Sequence, residues 1–159
     1  MDDGLKHPEL FQNGYHLTSF PIPSLVVTLV EEENWEAVDA EFKTLTSPSG
    51  ELFQFLQRYH SFQSIEFILS IRDALNEWEE DGIWHDDGSR MFSFSLSLTV
   101  NKIEGGQLAI KNKTEMHYPL LSTPAFGEII LFLTGAYGFE HKIHEVTQGK
   151  RVIIAGWCT

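Results

Sequence analysis

Phe92-Ser93-Phe94-Ser95-Leu96-Ser97-Leu98-Thr99-Val100 alternates without a slip between large apolar side chains and small hydroxyls. Successive side chains of a β-strand leave opposite faces, so the stretch predicts a strand with one greasy face and one face of hydroxyls. Downstream, Gln107 to Lys111 and Glu128 to Leu133 read as further strands. A further pair, His141 to Val146 and Arg151 to Trp157, is expected to close a hairpin across Gln148-Gly149. Gly105-Gly106 marks a turn or bulge. Several short strands joined by turns predict a double-sheet antiparallel fold of jelly-roll type.

Upstream the period changes. Trp35, Val38, Phe42 and Leu45 recur at three- and four-residue steps, and Ser47-Pro48-Ser49-Gly50 interrupts them. Phe53, Leu56, Tyr59 and Phe62, then Ile65, Leu69, Ile71 and Leu75, extend the helical reading to about Glu79. Ser24 to Val30 is rich in β-branched residues after Pro21 and Pro23 and reads as a strand. The expectation is a mainly β protein, a double-stranded β-helix (jelly roll) barrel braced by N-terminal helices. Residues 1–159 would form one domain, with 1–80 supplying a strand and supporting helices and 82–159 the barrel.

A chain of 159 residues can bury a sizeable single core. Eleven Lys and Arg against 23 Asp and Glu give a net charge of −12, which argues against nucleic acid as a partner. The acidic groups Glu31-Glu32-Glu33 and Glu77, Glu79, Glu80 and Asp81 read as solvated surface, with a docking surface for a basic partner as the alternative. Cys158 stands alone, so no internal disulfide can form. The start MDDGLKHPEL lacks a secretory pattern, and the longest apolar run, Leu25 to Val30, is far too short to cross a bilayer. No membrane association and a cytoplasmic location are expected.

Two positions draw attention as chemistry. His85 and Asp87 are two apart, so in extended chain both side chains leave one face and can converge on one ion, while Asp86 points away. Seen alone, such a pair is common on protein surfaces. Arg151 shares a strand face with Ile153, Ala155 and Trp157. A guanidinium there needs an anion, and its planar fork suits a carboxylate. An internal Asp or Glu, or exposure at the strand end, would serve equally. His141 and His144 both stand close before it.

In order along the chain, His85-x-Asp87, Gly105-Gly106-Gln107-Leu108, Pro124-Ala125-Phe126-Gly127 with a strand ending at Phe132, and His141-x-Ile143-x-x-Val146-Thr147-x-Gly149-x-Arg151 are followed by Trp157. This series, from Trp84 to Trp157, resembles the iron(II)- and 2-oxoglutarate-dependent oxygenases, in particular the prolyl 4-hydroxylase-like branch. The resemblance implies an Fe(II) centre on His85, Asp87 and His141. His141 has the family's ten-residue spacing to the arginine, and His144 falls on the opposite face of a regular strand. Three protein ligands on one side of the ion leave room for a bidentate 2-oxo acid and O2. Arg151 would pair with the far carboxylate of 2-oxoglutarate and Trp157 would wall its pocket.

Two features depart from the pattern. Ser97-Leu98-Thr99 stands where relatives often carry Tyr-Leu-Asn, and Leu75 stands where a tyrosine commonly precedes the first histidine by ten residues. Ser97, with Ser93 and Ser95 as alternatives, is the expected replacement in the cosubstrate pocket. The implied activity is hydroxylation of a peptide, protein side chain or free amino acid, with release of succinate and CO2. The competing reading is a non-catalytic cupin-like module that binds metal for sensing or ligand binding. A structural zinc site is disfavoured because such sites are usually closed by four ligands and only three candidates are at hand.

Overall fold

A computed structural model describes residues 7–75 and 82–159. The acidic run from Glu77 to Asp81 lies outside them. The chain begins with helix α1 (Pro8–Asn13), strand β1 (Tyr15–Ser19) and helices α2 (Ser24–Glu31), α3 (Trp35–Leu45) and α4 (Glu51–Leu56). Strands β2 (Ile65–Asp73), β3 (Phe92–Ser97), β4 (Glu104–Gly105), β5 (Leu108–Asn112), β6 (Leu120–Leu121) and β7 (Glu128–Leu133) follow. After a 3-10 turn at Gly135–Tyr137 come β8 (Phe139–Ile143), β9 (Val146–Gln148) and β10 (Lys150–Cys158). Among the described residues no helix is long and apolar enough to cross a membrane.

The strands form an antiparallel major sheet in the order β1-β7-β3-β10-β2, a minor sheet β6-β5-β8 and a short β4-β9 pair. The two larger sheets face each other as in a jelly roll. Strand parity sorts the major sheet into two surfaces. Its outer surface carries Phe92, Phe94, Leu96, Ile129, Leu131, Val152 and Ile154, which join Val26, Val30, Val38, Phe42, Leu52 and Leu56 from the helices in one core. The inner surface carries Ser93, Ser95 and Ser97 from β3, paired in register with Trp157, Ala155 and Ile153 of β10. The hydroxyl row therefore faces the inside of the roll, where Ser93, Ser95 and Ser97 are all buried.

Four expectations need correction. Ser24–Glu31 is a helix, not a strand. Val26 and Val30, four apart, are its buried residues, so a helical stripe facing the core overrides the β-branched preference. Ile65–Asp73 is a strand, not helix. Its Ile65, Phe67, Leu69 and Ile71 lie toward the helices, whereas Ile68, Ser70 and Arg72 face the cavity inside the roll. The hairpin expected between His141 to Val146 and Arg151 to Trp157 does not form. β8 pairs with β5 in the minor sheet and β10 pairs with β2 and β3 in the major one, so the chain changes sheet between them. The boundary at residue 82 does not divide the roll either, because β1 and β2 are strands of the major sheet.

Leu96 sits on the central strand β3 with 0% exposure. Leu96→Ala is expected to destabilise the fold by about 2–5 kcal/mol through lost burial and the void it leaves. Urea unfolding of the two proteins measures this, and a difference within error would show that the sheet and helices do not share a core there.

Candidate metal and cosubstrate site

His85 and His141 form an isolated antiparallel pair that exchanges two backbone hydrogen bonds, at 3.0 and 2.9 Å. This fastens the segment after residue 82 to the end strand of the minor sheet and brings the two rings to 4.3 Å between centroids. Two residues on, the Asp87 N–H donates to Thr134 Oγ1 at 3.3 Å. Thr134 is itself buried and leads into the 3-10 turn. That turn needs glycine at position 135, whose φ is +46°, because a Cβ there would collide with the carbonyl oxygens of Gly88 and Arg90. Asp86 points outward, as parity predicted, and its carboxylate meets the Lys113 ammonium and the Gly88 N–H. The Lys113 contact, then Gly88, holds the Asp86 carboxyl below its ordinary pKa.

One ligand-type atom from each of His85, Asp87 and His141 lies within 4.8 Å of the other two. Asp87 Oδ2 stands 3.8 Å from His141 Nε2. Both Asp87 Oδ2 and His141 Nδ1 are buried without a hydrogen-bond partner. An unpartnered buried carboxylate oxygen is costly, and a cation between the three side chains removes that cost. His85 Nδ1 lies 3.1 Å from the Ile83 carbonyl, which can only accept, so Nδ1 carries the proton and Nε2 keeps a free lone pair. Burial above all drives the His141 pKa down from 6.5 to about 4, against the pull of Asp87 and Asp86 and with the help of His85. The imidazole is thus neutral near pH 7, the form that binds metal. The donor set of two imidazoles and one carboxylate fits ferrous iron.

The His141 shift has a consequence for the metal-free protein. The unfolded chain takes up a proton at about pH 6.5 that the folded chain accepts only near pH 4. Folding stability is therefore fully present above the first value and is lost progressively as pH falls toward the second. The expected loss is on the order of a few kcal/mol, measurable as a falling urea midpoint, and it should be absent in His141→Gln.

Next to these residues lies a cavity of about 100 Å³. It is lined by Ile68, Ser70 and Arg72 of β2, by Arg151, Ile153, Ala155 and Trp157 of β10, and by His85, Ser95 and His141, among others. Arg151 is 2% exposed. Its Nε donates to Thr123 Oγ1 at 3.2 Å, and a Cβ at Gly106 would stand 2.9 Å from its Cδ. The Gly105-Gly106 turn thus leaves room for the arginine stem. Burial, then the neighbouring Arg72, lowers the Arg151 pKa, although the group stays protonated at neutral pH. Trp157 closes one side of the cavity, with the Arg90 guanidinium 4.9 Å above its ring and held by Glu66 at 2.7 Å.

His85, Asp87 and His141 come together, and Arg151 and Trp157 line the adjoining cavity. Ser97 does not. Its hydroxyl accepts the Thr99 N–H at 3.2 Å, and Ser95, one pleat along on the same face, lines the cavity with an unpartnered buried Oγ. Leu75 is 91% exposed, so that position contributes nothing to the cavity. His144 lies just beyond β8. Arg72, Thr123 and Thr134 were not singled out by the sequence. For Arg72 the available signal was the alternation of Ile65, Phe67, Leu69 and Ile71, which places it on the opposite, inward face.

Residues 72–159 match the family model of the 2OG-Fe(II) oxygenase superfamily, more than half of the chain. The chain belongs to this superfamily. It is an iron(II)- and 2-oxoglutarate-dependent dioxygenase, and the expectation of a non-catalytic cupin-like module is not favoured. The oxygenase is similar in structure to a prolyl-4-hydroxylase of Pseudomonas putida, with TM-score 0.60 and 18% identity over 99% of this chain and 94% of that one. A prolyl 4-hydroxylase of Phytophthora capsici gives TM-score 0.68 and 16% identity over 96% of the oxygenase and 61% of its own length. A Trichoplax adhaerens prolyl hydroxylase, in complex with a hypoxia inducible factor peptide fragment, gives TM-score 0.60 and 14% identity over 98% and 88%. At these identities the likeness is one of fold. No curated protein matches the sequence significantly.

Proposed function

We propose that this oxygenase hydroxylates a C–H bond in a peptide or protein side chain, with iron(II) held by His85, Asp87 and His141 and 2-oxoglutarate anchored by Arg151. The observation that carries the reading is the convergence of three ligand atoms within 4.8 Å, two of these side chains holding a buried polar atom with no protein partner. Ferrous iron bound there would supply oxidative decarboxylation of 2-oxoglutarate by O2, yielding succinate and CO2 and placing one oxygen atom in the substrate. The protein's part is to bind and orient. The His85–His141 backbone pair and the Asp87–Thr134 hydrogen bond fix the ligand positions before metal arrives, so little ordering remains to be done. Arg151, seated by Thr123, offers its fork to a carboxylate in a site largely shielded from water, where a charge-assisted pair is strong. Trp157 under Arg90 keeps solvent from that end.

A peptide substrate is supported by the peptide bound to the Trichoplax neighbour and by the open side of the cavity, where His85 and Ile68 are exposed. The same reading takes residues 1–159 as one domain in the cytoplasm, consistent with a single buried free cysteine, and the net charge of −12 weighs against nucleic acid as substrate. An anaerobic titration tests the site: 2-oxoglutarate added to iron-loaded protein should produce a visible charge-transfer band. On admission of O2, succinate should form only with both iron and 2-oxoglutarate present. No band and no succinate would refute the assignment.

A further inference from the structure

Ser95 lies mid-way along β3, the central strand of the major sheet, on the face turned into the roll. Strands pair with β3 on both sides, so the backbone around it is committed to the two ladders. The register sets Ile130 of β7 against it on one side and Ala155 of β10 on the other, and neither side chain can form a hydrogen bond. Ser95 is 6% exposed, and its Oγ has no hydrogen-bond partner within the protein. Ser93 and Ser97, two residues away in either direction, share this face but not this setting. The Ser97 hydroxyl already accepts the Thr99 N–H. Ser93 stands between Phe132 and Trp157 in the register, its Oγ buried and unpartnered, but it does not line the cavity. Of the three serines only Ser95 borders the space shared by His85, His141 and Arg151.

A buried hydroxyl without a partner opposes folding, because it has given up its hydrogen bonds to water and gained none in return. The balance reverses when an acceptor enters the cavity. The carboxylates and keto oxygen of an ionised 2-oxo acid only accept hydrogen bonds, so the Ser95 O–H is the donor, and a bond to a charged acceptor is stronger than one between neutral groups. Resting on the functional reading above, we propose that Ser95 is a cosubstrate-binding residue that donates a hydrogen bond to the bound 2-oxo acid, and that the same hydroxyl lowers the stability of the empty protein. Arg151 brings the charge, and Ser95 brings the neutral donor that neither the engaged Ser97 nor the exposed Leu75 supplies. The two effects have opposite signs. A serine held only for its part in the fold would lose stability when its hydroxyl is removed, whereas Ser95 gains stability and loses affinity.

Two measurements on Ser93→Ala, Ser95→Ala and Ser97→Ala test the proposal. Calorimetric titration of anaerobic, iron(II)-loaded protein with 2-oxoglutarate is expected to show binding about tenfold weaker in Ser95→Ala, the effect of losing one hydrogen bond to a charged group, and unchanged in the other two. Urea unfolding of the metal-free chain without cosubstrate is expected to show the Ser95→Ala midpoint raised by on the order of a few tenths of a molar, since the unpartnered hydroxyl is gone. Ser97→Ala should move the midpoint the other way, because it removes the acceptor of the Thr99 N–H. Wild-type affinity in Ser95→Ala, or an equal loss in Ser93→Ala, overturns the binding role of Ser95 while the functional reading stands. A midpoint that does not rise, or failure of Ser95→Ala to fold, overturns the claim that the hydroxyl weakens the empty protein. Failure of the unaltered protein to bind 2-oxoglutarate overturns the functional reading together with the proposal.

Discussion

Asp87→Ala is expected to reduce iron(II) affinity and succinate formation together, each by at least about 100-fold, since even residues that only support a ligand typically cost 10- to 100-fold when lost. Asp87 is the one anionic member of the three-residue cluster, and its Oδ2 is buried without a hydrogen-bond donor. Its removal leaves two neutral imidazoles facing a divalent ion. The fold should tolerate the change, because the contact tying this position to the 3-10 turn uses the Asp87 backbone N–H, which alanine retains. Metal analysis after anaerobic loading, with circular dichroism as the control for folding, measures the effect. Wild-type iron content in Asp87→Ala would show that the ion is held elsewhere.

Arg151→Gln is expected to raise the Kd for 2-oxoglutarate by about 100-fold, since truncating one partner of a buried charge pair commonly costs 2–5 kcal/mol and each 1.4 kcal/mol is tenfold. Iron affinity should stay at the wild-type value, because Arg151 is not among the clustered ligand residues. The split matters: loss of 2-oxoglutarate binding with iron retained separates the anchor from the metal centre. Parallel loss of both would mean that Arg151 supports the roll itself, where it is buried beneath the Gly105-Gly106 turn.

What the sequence disclosed depended on how far each signal is local. β3 was legible because its alternation is uninterrupted, and β7 and β10 because each is a short apolar run that follows turn residues. β2 was not. Ile65 and Leu69 also fit a helical step, and Ile68 adds an apolar residue on the inward face, so the alternation is blurred where both faces are covered. The β8–β10 error has another origin. Nothing local marks the point near His144 where the chain leaves one sheet for the other, and the partners of both strands lie far away in sequence. In the site, parity placed Asp86 outward correctly and gathered the serine row on one face, leaving open whether that face met solvent or the inside of the roll. It could not say which serine borders the cavity, since that depends on the β3–β10 register and on the Thr99 N–H that engages Ser97. Arg72 escaped for the same reason as its strand. The joint order of His85, Asp87, His141 and Arg151 carried the family resemblance, whereas the cross-strand pairing that gives the cavity its second cation exists only in the folded chain.

Diffraction from anaerobic crystals grown with iron(II) and 2-oxoglutarate, recorded at the iron absorption edge, decides whether these side chains hold the metal and the cosubstrate. One iron peak is expected, bonded to His85, Asp87 and His141, with the cosubstrate chelating it and its far carboxylate on Arg151. Iron bound elsewhere, or a cosubstrate whose far carboxylate lies in solvent while Arg151 stays covered, would contradict it.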